Sequence, residues 1–179
     1  MIWNSHTVLD SVGFVILCPE RNWGGLKVSA LTARDTFPTA DVVCCVPADT
    51  TDAEVEEFST VSRVTRGGQS ITALINRGVA EVAGEWAFVF MAGNPVRESV
   101  LRKYERFVRS DRDIVYPVVN RQWEFPTASI NGLLLNRRTA RAVGPFAEKE
   151  DDLRLVKLFW ALDAIENGCQ FRALVGAHL

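Results

Sequence analysis

Long hydrophobic runs are missing from this chain. No apolar stretch approaches the ~20 residues needed to span a bilayer, and the start, MIWNSHTVLDSVG, lacks the basic-then-apolar order of a secretory signal. Charge of one sign is also lacking. A formal net charge of -2 argues against a general nucleic-acid binder or a polybasic membrane patch. Cysteine is sparse, and Cys18, Cys44, Cys45 and Cys169 form no CxxC pair for metal or redox chemistry. Three of them fall in predicted strands, where cysteine packs as a small hydrophobe. Reduced core thiols of this kind imply a cytoplasmic protein. With no GxSxG, HExxH or CxxC pair, hydrolase, zincin and zinc-ribbon readings have no support.

What is present suits a single domain over residues 1–179 with a substantial core, since 47% of the chain is hydrophobic and 23% charged. Residues 12–18 (VGFVILC) and 41–46 (DVVCCV) read as buried strands, each closed by a proline. Helices are expected over 26–36 and 53–58, the second entered through Asp52 as its cap, and a short strand over 61–64. From Gly68, apolar residues at helical spacing (Ile71, Leu74, Ile75, Val79, Val82) predict a helix that Gly84 stops. Residues 86–90 (WAFVF) then predict a strand buried on both faces. A helix over 96–109 should carry Pro95 at its first turn. Beyond it come a strand over 114–119 that Pro117 marks as an edge or a bend, a strand over 131–135 and a helix over 137–143. An amphipathic helix over 151–166, with Leu153, Val156, Phe159, Trp160, Leu162 and Ile165 apolar, and a strand over 170–175 complete the chain. Strand and helix alternate through the first hundred residues, which predicts a three-layer α/β/α domain with a mostly parallel sheet.

Four segments in order resemble family-2-type glycosyltransferases of the GT-A fold, within the nucleotide-diphospho-sugar transferase superfamily. They are VILCPERN at 15–22, FPTADVVCCVPADTTD at 37–52, the stretch holding Asn76-Arg77-Gly78 and Ala83-Gly84-Glu85-Trp86, and NGLLLNRRTARAVGPFAEKE at 131–150. The resemblance implies transfer of a sugar from a nucleoside-diphosphate sugar to an acceptor that the sequence does not name. In such enzymes an Asp-x-Asp after the central strand holds Mg²⁺ or Mn²⁺, which meets the charge of the diphosphate leaving group. Here Met91-Ala92-Gly93 stands on those positions. A thioether, a methyl and a hydrogen are not ligands for a hard cation, so no metal cofactor is expected unless an unrecognised site exists. The paired aspartates after the second strand are likewise replaced by Val46-Pro47-Ala48, and only Asp49 remains to meet a nucleotide base.

The same resemblance nominates Glu150 or Asp151 as the base that removes the acceptor hydroxyl proton. Three acids at a helix start, Glu150 to Asp152, equally suit the helix dipole with no catalytic role. Pro19, Asn22 and Asn76 match the family's binding positions, and Asn94, Arg97 and Arg66 are the expected diphosphate contacts where no metal serves. Trp123, with Phe125 nearby, stacks on a sugar or base in one reading and plugs the sheet edge in the other. His178 is the one metal or diphosphate candidate near the last strand. Any acceptor site would be open, or completed by a second copy or a partner chain. An inactive GT-A-like domain kept for binding or assembly is the rival reading. A nucleotidylyltransferase is a third, for which the glycines and single arginine of ERNWGG (20–25) are a poor match.

Overall fold

The computed structural model describes residues 8–56, 58–118, 130–149 and 152–175. Its strands form where β-branched and aromatic runs are bounded by proline, glycine or turn residues. They are β1 (Val12–Leu17), β2 (Val42–Val46), β3 (Arg63–Arg66), β4 (Trp86–Met91), β5 (Asp113–Pro117), β6 (Leu133–Asn136) and β7 (Gln170–Leu174). They make one sheet in the order β3-β2-β1-β4-β6-β5-β7. Among the strands of the described residues, β6 alone runs against its neighbours, antiparallel to both β4 and β5. The expected three-layer α/β/α domain with a mostly parallel sheet is therefore the observed one. Pro117 does not mark an edge or a break: β5 lies between β6 and β7, and the proline is its last residue.

Helices cover both faces. Helices α1 (Trp23–Thr36) and α4 (Glu98–Glu105) lie on one, and α3 (Ile71–Glu81), α5 (Arg137–Val143) and α6 (Leu153–Glu166) on the other. The two faces differ in kind. Toward α1 and α4 the sheet presents Phe14, Phe88 and Phe90, with Tyr104 of α4 edge-on to Phe88 at 5.1 Å between centroids. Each such fully buried aromatic contributes about 2–3 kcal/mol by area alone. Toward α3 it presents Val15, Val43, Cys45 and Ala87, and the helix comes close. A Cβ on Gly78 would sit 2.2 Å from Val15 Cγ1 and 2.7 Å from Cys45 Sγ. The Asn76-Arg77-Gly78 stretch thus contains a packing glycine, while Arg77 turns outward to Glu81 and Thr65.

Several expected boundaries move, each for a local reason. Helix α1 begins at Trp23, because Asn22 caps it by accepting from the Gly25 N–H at 3.0 Å. Helix α2 (Asp52–Glu56) is entered through Thr51 and not Asp52. Thr51 and Glu54 form a capping box, with the Thr51 N–H donating to Glu54 Oε2 at 2.8 Å. Pro95 lies before α4 and outside its first turn, and Arg97 is the capping position. The expected apolar face of α6 is wrong in part. Val156 and Trp160 are buried, whereas Phe159, Leu162 and Ile165 are exposed. All four cysteines are buried and unpaired. No helix among the described residues is long and apolar enough to cross a membrane.

Candidate functional site

Parallel strands β1, β2, β3 and β4 end together, so the loops after them share one edge of the sheet. In open α/β sheets that edge is where ligands bind. The loop after β1 carries Cys18 to Asn22. Arg21 has φ +55° and is, among the described residues, the one non-glycine with positive φ, a conformation that costs an L-residue about 1–2 kcal/mol. Its guanidinium is 2.6 Å from Asp49 Oδ2 in the loop after β2, and 3.9 Å from Glu54. Asp49 also accepts from Gln69 Nε2 at 3.1 Å, in the loop after β3. Gln69 and Arg21 together hold the Asp49 carboxyl below its usual range, and Asp49 in turn raises Arg21. Arg66, the last residue of β3, donates to the Thr50 carbonyl at 2.7 Å and pairs with Asp52. One polar mesh thereby ties the first three strand-end loops together.

The N-terminal turn of α1 opens onto the same edge. Nothing lies within 4 Å of where a Gly24 Cβ would stand, whereas a Gly25 Cβ would meet Gly93 Cα at 2.9 Å. The turn is thus bare over Gly24 and pressed against the loop after β4 at Gly25. Ser29, fully buried, holds that loop by accepting from the Gly93 N–H at 3.0 Å and donating to the Asn94 carbonyl at 2.8 Å. One turn on, Thr32 accepts from the Val96 N–H at 2.9 Å. Asn131 accepts from the Met91 N–H at 2.9 Å and fastens the other side. Cys18 is buried beside this turn, and burial pushes its thiol up to about 11, out of reach of nucleophilic chemistry near neutrality.

The divalent metal that the sequence resemblance implies does not fit the end of β4. Met91, Ala92 and Gly93 supply no oxygen side chain, and Gly93 has φ +104°, which a carboxylate-bearing residue adopts only under strain. Among the described residues no group of three His, Cys, Asp or Glu side chains is arranged to hold a metal ion.

The nominated residues are distributed unevenly. Pro19, Asn22, Asp49 and Arg66 belong to the loops at this edge, and Arg97 is exposed at the start of α4, three residues beyond Asn94. Asn94 does not present its amide as a diphosphate contact: Nδ2 turns back to the Met91 carbonyl at 2.9 Å. Asn76 is drawn elsewhere. Its amide brackets Phe146, accepting from its N–H at 2.9 Å and donating to its carbonyl at 2.8 Å, and it reaches Glu148 at 2.9 Å. It therefore clamps the Gly144-Pro145-Phe146 turn to α3, beside an apolar cavity of about 290 Å³ that Trp160 and Leu135 also line. Glu150, Asp151, Trp123 and His178 lie outside the described residues. Sequence reasoning missed Gln69 and the Ser29–Thr32 pair, and it weighed Arg21 only as the single arginine of the 20–25 loop. The one available signal was hydroxyls at helical spacing on α1 facing the loop after β4.

No protein-family model matches the chain, and neither does any curated protein sequence. Solved structures do match in fold. The bifunctional IspDF from Campylobacter jejuni superposes with a TM-score of 0.61 at 9% identity, over 94% of this chain and 51% of that one. This chain thus spans about half of that protein's length. A 4-diphosphocytidyl-2C-methyl-D-erythritol synthase superposes with a TM-score of 0.61 at 17% identity, over 93% of this chain and 89% of that one. Neither is named as a glycosyltransferase, and identities this low speak for the fold alone. That fold is the nucleotide-diphospho-sugar transferase-like one, which GT-A glycosyltransferases share.

Proposed function

We propose that the chain binds a nucleoside diphosphate sugar at the carboxyl edge of β1 to β4 and transfers its sugar without an Asp-x-Asp metal. The observation that carries this reading is the bare first turn of α1 at Gly24, flanked by the arginine-bearing mesh of Arg21 and Arg66. The positive end of the α1 dipole favours phosphate oxygens although the Gly25 N–H is already taken by the Asn22 cap, and guanidinium groups meet the charge that a divalent cation would otherwise neutralise. In this scheme Asp49, held ionised, meets the base, and Arg21, Arg66 and Arg97 face the diphosphate. Glu150 or Asp151 takes the proton as the acceptor oxygen attacks the anomeric carbon and the nucleoside diphosphate leaves.

A second reading is nucleotidyl transfer, in which a nucleoside triphosphate replaces the sugar nucleotide. Arg21 and the Gly24-Gly25 pair together at the site rim favour it, because that reaction needs a glycine-bearing, basic loop after β1. The reading as an inactive domain kept for binding or assembly predicts no turnover of any donor, even one that binds. Calorimetric titration with UDP-, GDP-, dTDP- and CMP-sugars and with CTP, each with and without Mn²⁺, separates the first two, and turnover of whatever binds decides the third. Metal-independent heat with a UDP-, GDP- or dTDP-sugar supports the proposal, and heat with CTP alone transfers support to the second reading. Silence with every compound refutes both. Binding that requires Mn²⁺ overturns the account of the β4 end. If a donor binds, Asp151→Asn should abolish turnover and leave donor affinity intact; unchanged turnover would leave Glu150 as the base.

A further inference from the structure

The apolar cavity of about 290 Å³ beside Asn76 is enclosed by α3, β6, α5 and Trp160 of α6. Val79, Leu135 and Ala140 form its sides. Phe146 stacks on Trp160 along another wall, with ring centroids 4.4 Å apart and planes 18° apart. Hydrogen bonds fix these walls without crossing the space between them. Trp160 Nε1 donates to the Gly144 carbonyl at 2.9 Å, and the Asn76 amide holds Phe146 by its N–H and its carbonyl. The carbonyls of Val79, Ala80 and Ala140 are likewise taken, the first two by Arg137 and the third by the Gly144 N–H. The lining therefore offers a ligand little but apolar surface and aromatic faces. Arg141 is the exception: it is exposed at the rim, and among the described residues its guanidinium has no hydrogen-bond or ion-pair partner.

The charges at this rim are of one sign. Helix α5 carries Arg137, Arg138 and Arg141 and no acid, and among the described residues no acid lines the cavity. The acids of the adjoining chain are engaged elsewhere, Glu81 with Arg77 and Glu148 with the Asn76 amide. Arg137, one turn before Arg141, spends its guanidinium on the carbonyls that end α3, so the free cation is Arg141. We propose that this cavity binds a small arylalkyl carboxylate, its ring against Phe146, Trp160 and Leu135 and its carboxylate on the Arg141 fork. A guanidinium matches a carboxylate with two parallel hydrogen bonds. A phosphate dianion would bring more charge than one arginine balances, and a second polar group on the ligand would be buried without a partner. The volume is at the small end for ligand cavities, suited to roughly ten to fourteen non-hydrogen atoms. The site is separate from the nucleotide edge: Leu135 pairs with Ala87, about 13 Å along β4 from Met91.

Calorimetric titration of the full chain with 3-phenylpropionate and indole-3-propionate tests it, with 3-phenylpropanol as the neutral counterpart and acetate as the bare charge. At least one of the two acids should bind at one site per chain with a Kd of about 1 mM or tighter. The alcohol should bind about tenfold more weakly, and acetate should give no saturable heat. Arg141→Gln, at an exposed position, should lower acid affinity about tenfold, to the level of the alcohol, and leave the alcohol unchanged. Ala140→Phe, which fills the cavity, should remove binding of acid and alcohol alike. Circular dichroism melting identifies an Ala140 variant that misfolds, in which case the Arg141 comparison decides. No saturable binding of either acid up to about ten times the expected Kd overturns the proposal. So does an alcohol that binds as tightly as its acid, or an acid affinity indifferent to Arg141→Gln.

Discussion

Gly24 and Gly25 are adjacent in the first turn of α1, and the structure assigns them opposite responses to the same substitution. Alanine in a helix gains roughly 0.5–1 kcal/mol over glycine, mainly from the unfolded chain. At Gly24 nothing stands within 4 Å of the new methyl, so Gly24→Ala should stabilise by about 0.5 kcal/mol. At Gly25 the methyl would lie 2.5 Å from Asn22 Nδ2 and 2.9 Å from Gly93 Cα. The second contact is backbone and cannot rotate away. Overpacking costs about 1–3 kcal/mol, and displacing the Asn22 cap about 1 kcal/mol more, so Gly25→Ala should destabilise by about 2 kcal/mol net. With a urea slope of about 2 kcal/mol per molar, the unfolding midpoint should rise by about 0.25 M for Gly24→Ala and fall by about 1 M for Gly25→Ala. Function should move the other way at Gly24. A methyl over the bare turn blocks close approach of a phosphate, and sugar-nucleotide affinity should fall about tenfold, or 1.4 kcal/mol. A Gly24→Ala protein that is more stable and binds donor as tightly as the parent would refute the α1 turn as the phosphate cradle. A Gly25→Ala protein with unchanged stability would refute the close packing of α1 on the loop after β4.

Three further expectations follow from buried and half-buried groups. The Tyr104 hydroxyl is buried with no hydrogen-bond partner, so Tyr104→Phe should raise stability by about 1 kcal/mol in urea unfolding; a loss of that size would show that the oxygen has a partner. For Asp41, burial works toward a higher pKa, but Arg63 and the Ala83 N–H outweigh it and hold the carboxyl below the ordinary 3.8. A depressed folded value contributes stability that is present above the unfolded pKa and is lost as pH falls through the folded one. Asp41→Asn should therefore lower stability at neutral pH and flatten its fall between about pH 4 and 2; an acid limb unchanged by the substitution would exclude the pairing as its source. Burial raises the Cys18 thiol to about 11 and Cys44 to about 12, so a thiol reagent at pH 8 should label the native protein slowly and all four cysteines once urea unfolds it. Rapid native labelling at Cys18 would show that its loop opens.

Much of the scaffold was legible because it rests on local signals. Apolar runs ending at Pro19 and Pro47, the helix before Gly84 and the short helix over Arg137–Val143 declare themselves within a few residues. The site was less legible. Met91-Ala92-Gly93 could be read as lacking metal ligands from residue types alone. Its conformation could not, since φ +104° at Gly93 depends on the Ser29 hydroxyl arriving from 64 positions away. Arg21 stands out in the sequence only as the lone arginine of its loop, because its partners, Asp49 and Glu54, become neighbours only when β1 and β2 pair in parallel. Asn76 was placed with the site because it matched a motif, yet Phe146, 70 positions on, draws its amide away. Helix α6 misled for a related reason. Periodicity finds an apolar face but not which of two apolar faces meets the sheet.

By itself, then, the sequence determined that an alternating strand–helix chain would wind into an α/β/α domain and that β4 would end without carboxylates. Those properties are carried by composition and spacing along short stretches. The tertiary structure alone decided which loops meet at the carboxyl edge, that Gly24 is open while Gly25 is closed, and that α6 turns a hydrophobic stripe outward. Each of these depends on the distance between groups far apart in the chain, and only the packed sheet sets such distances.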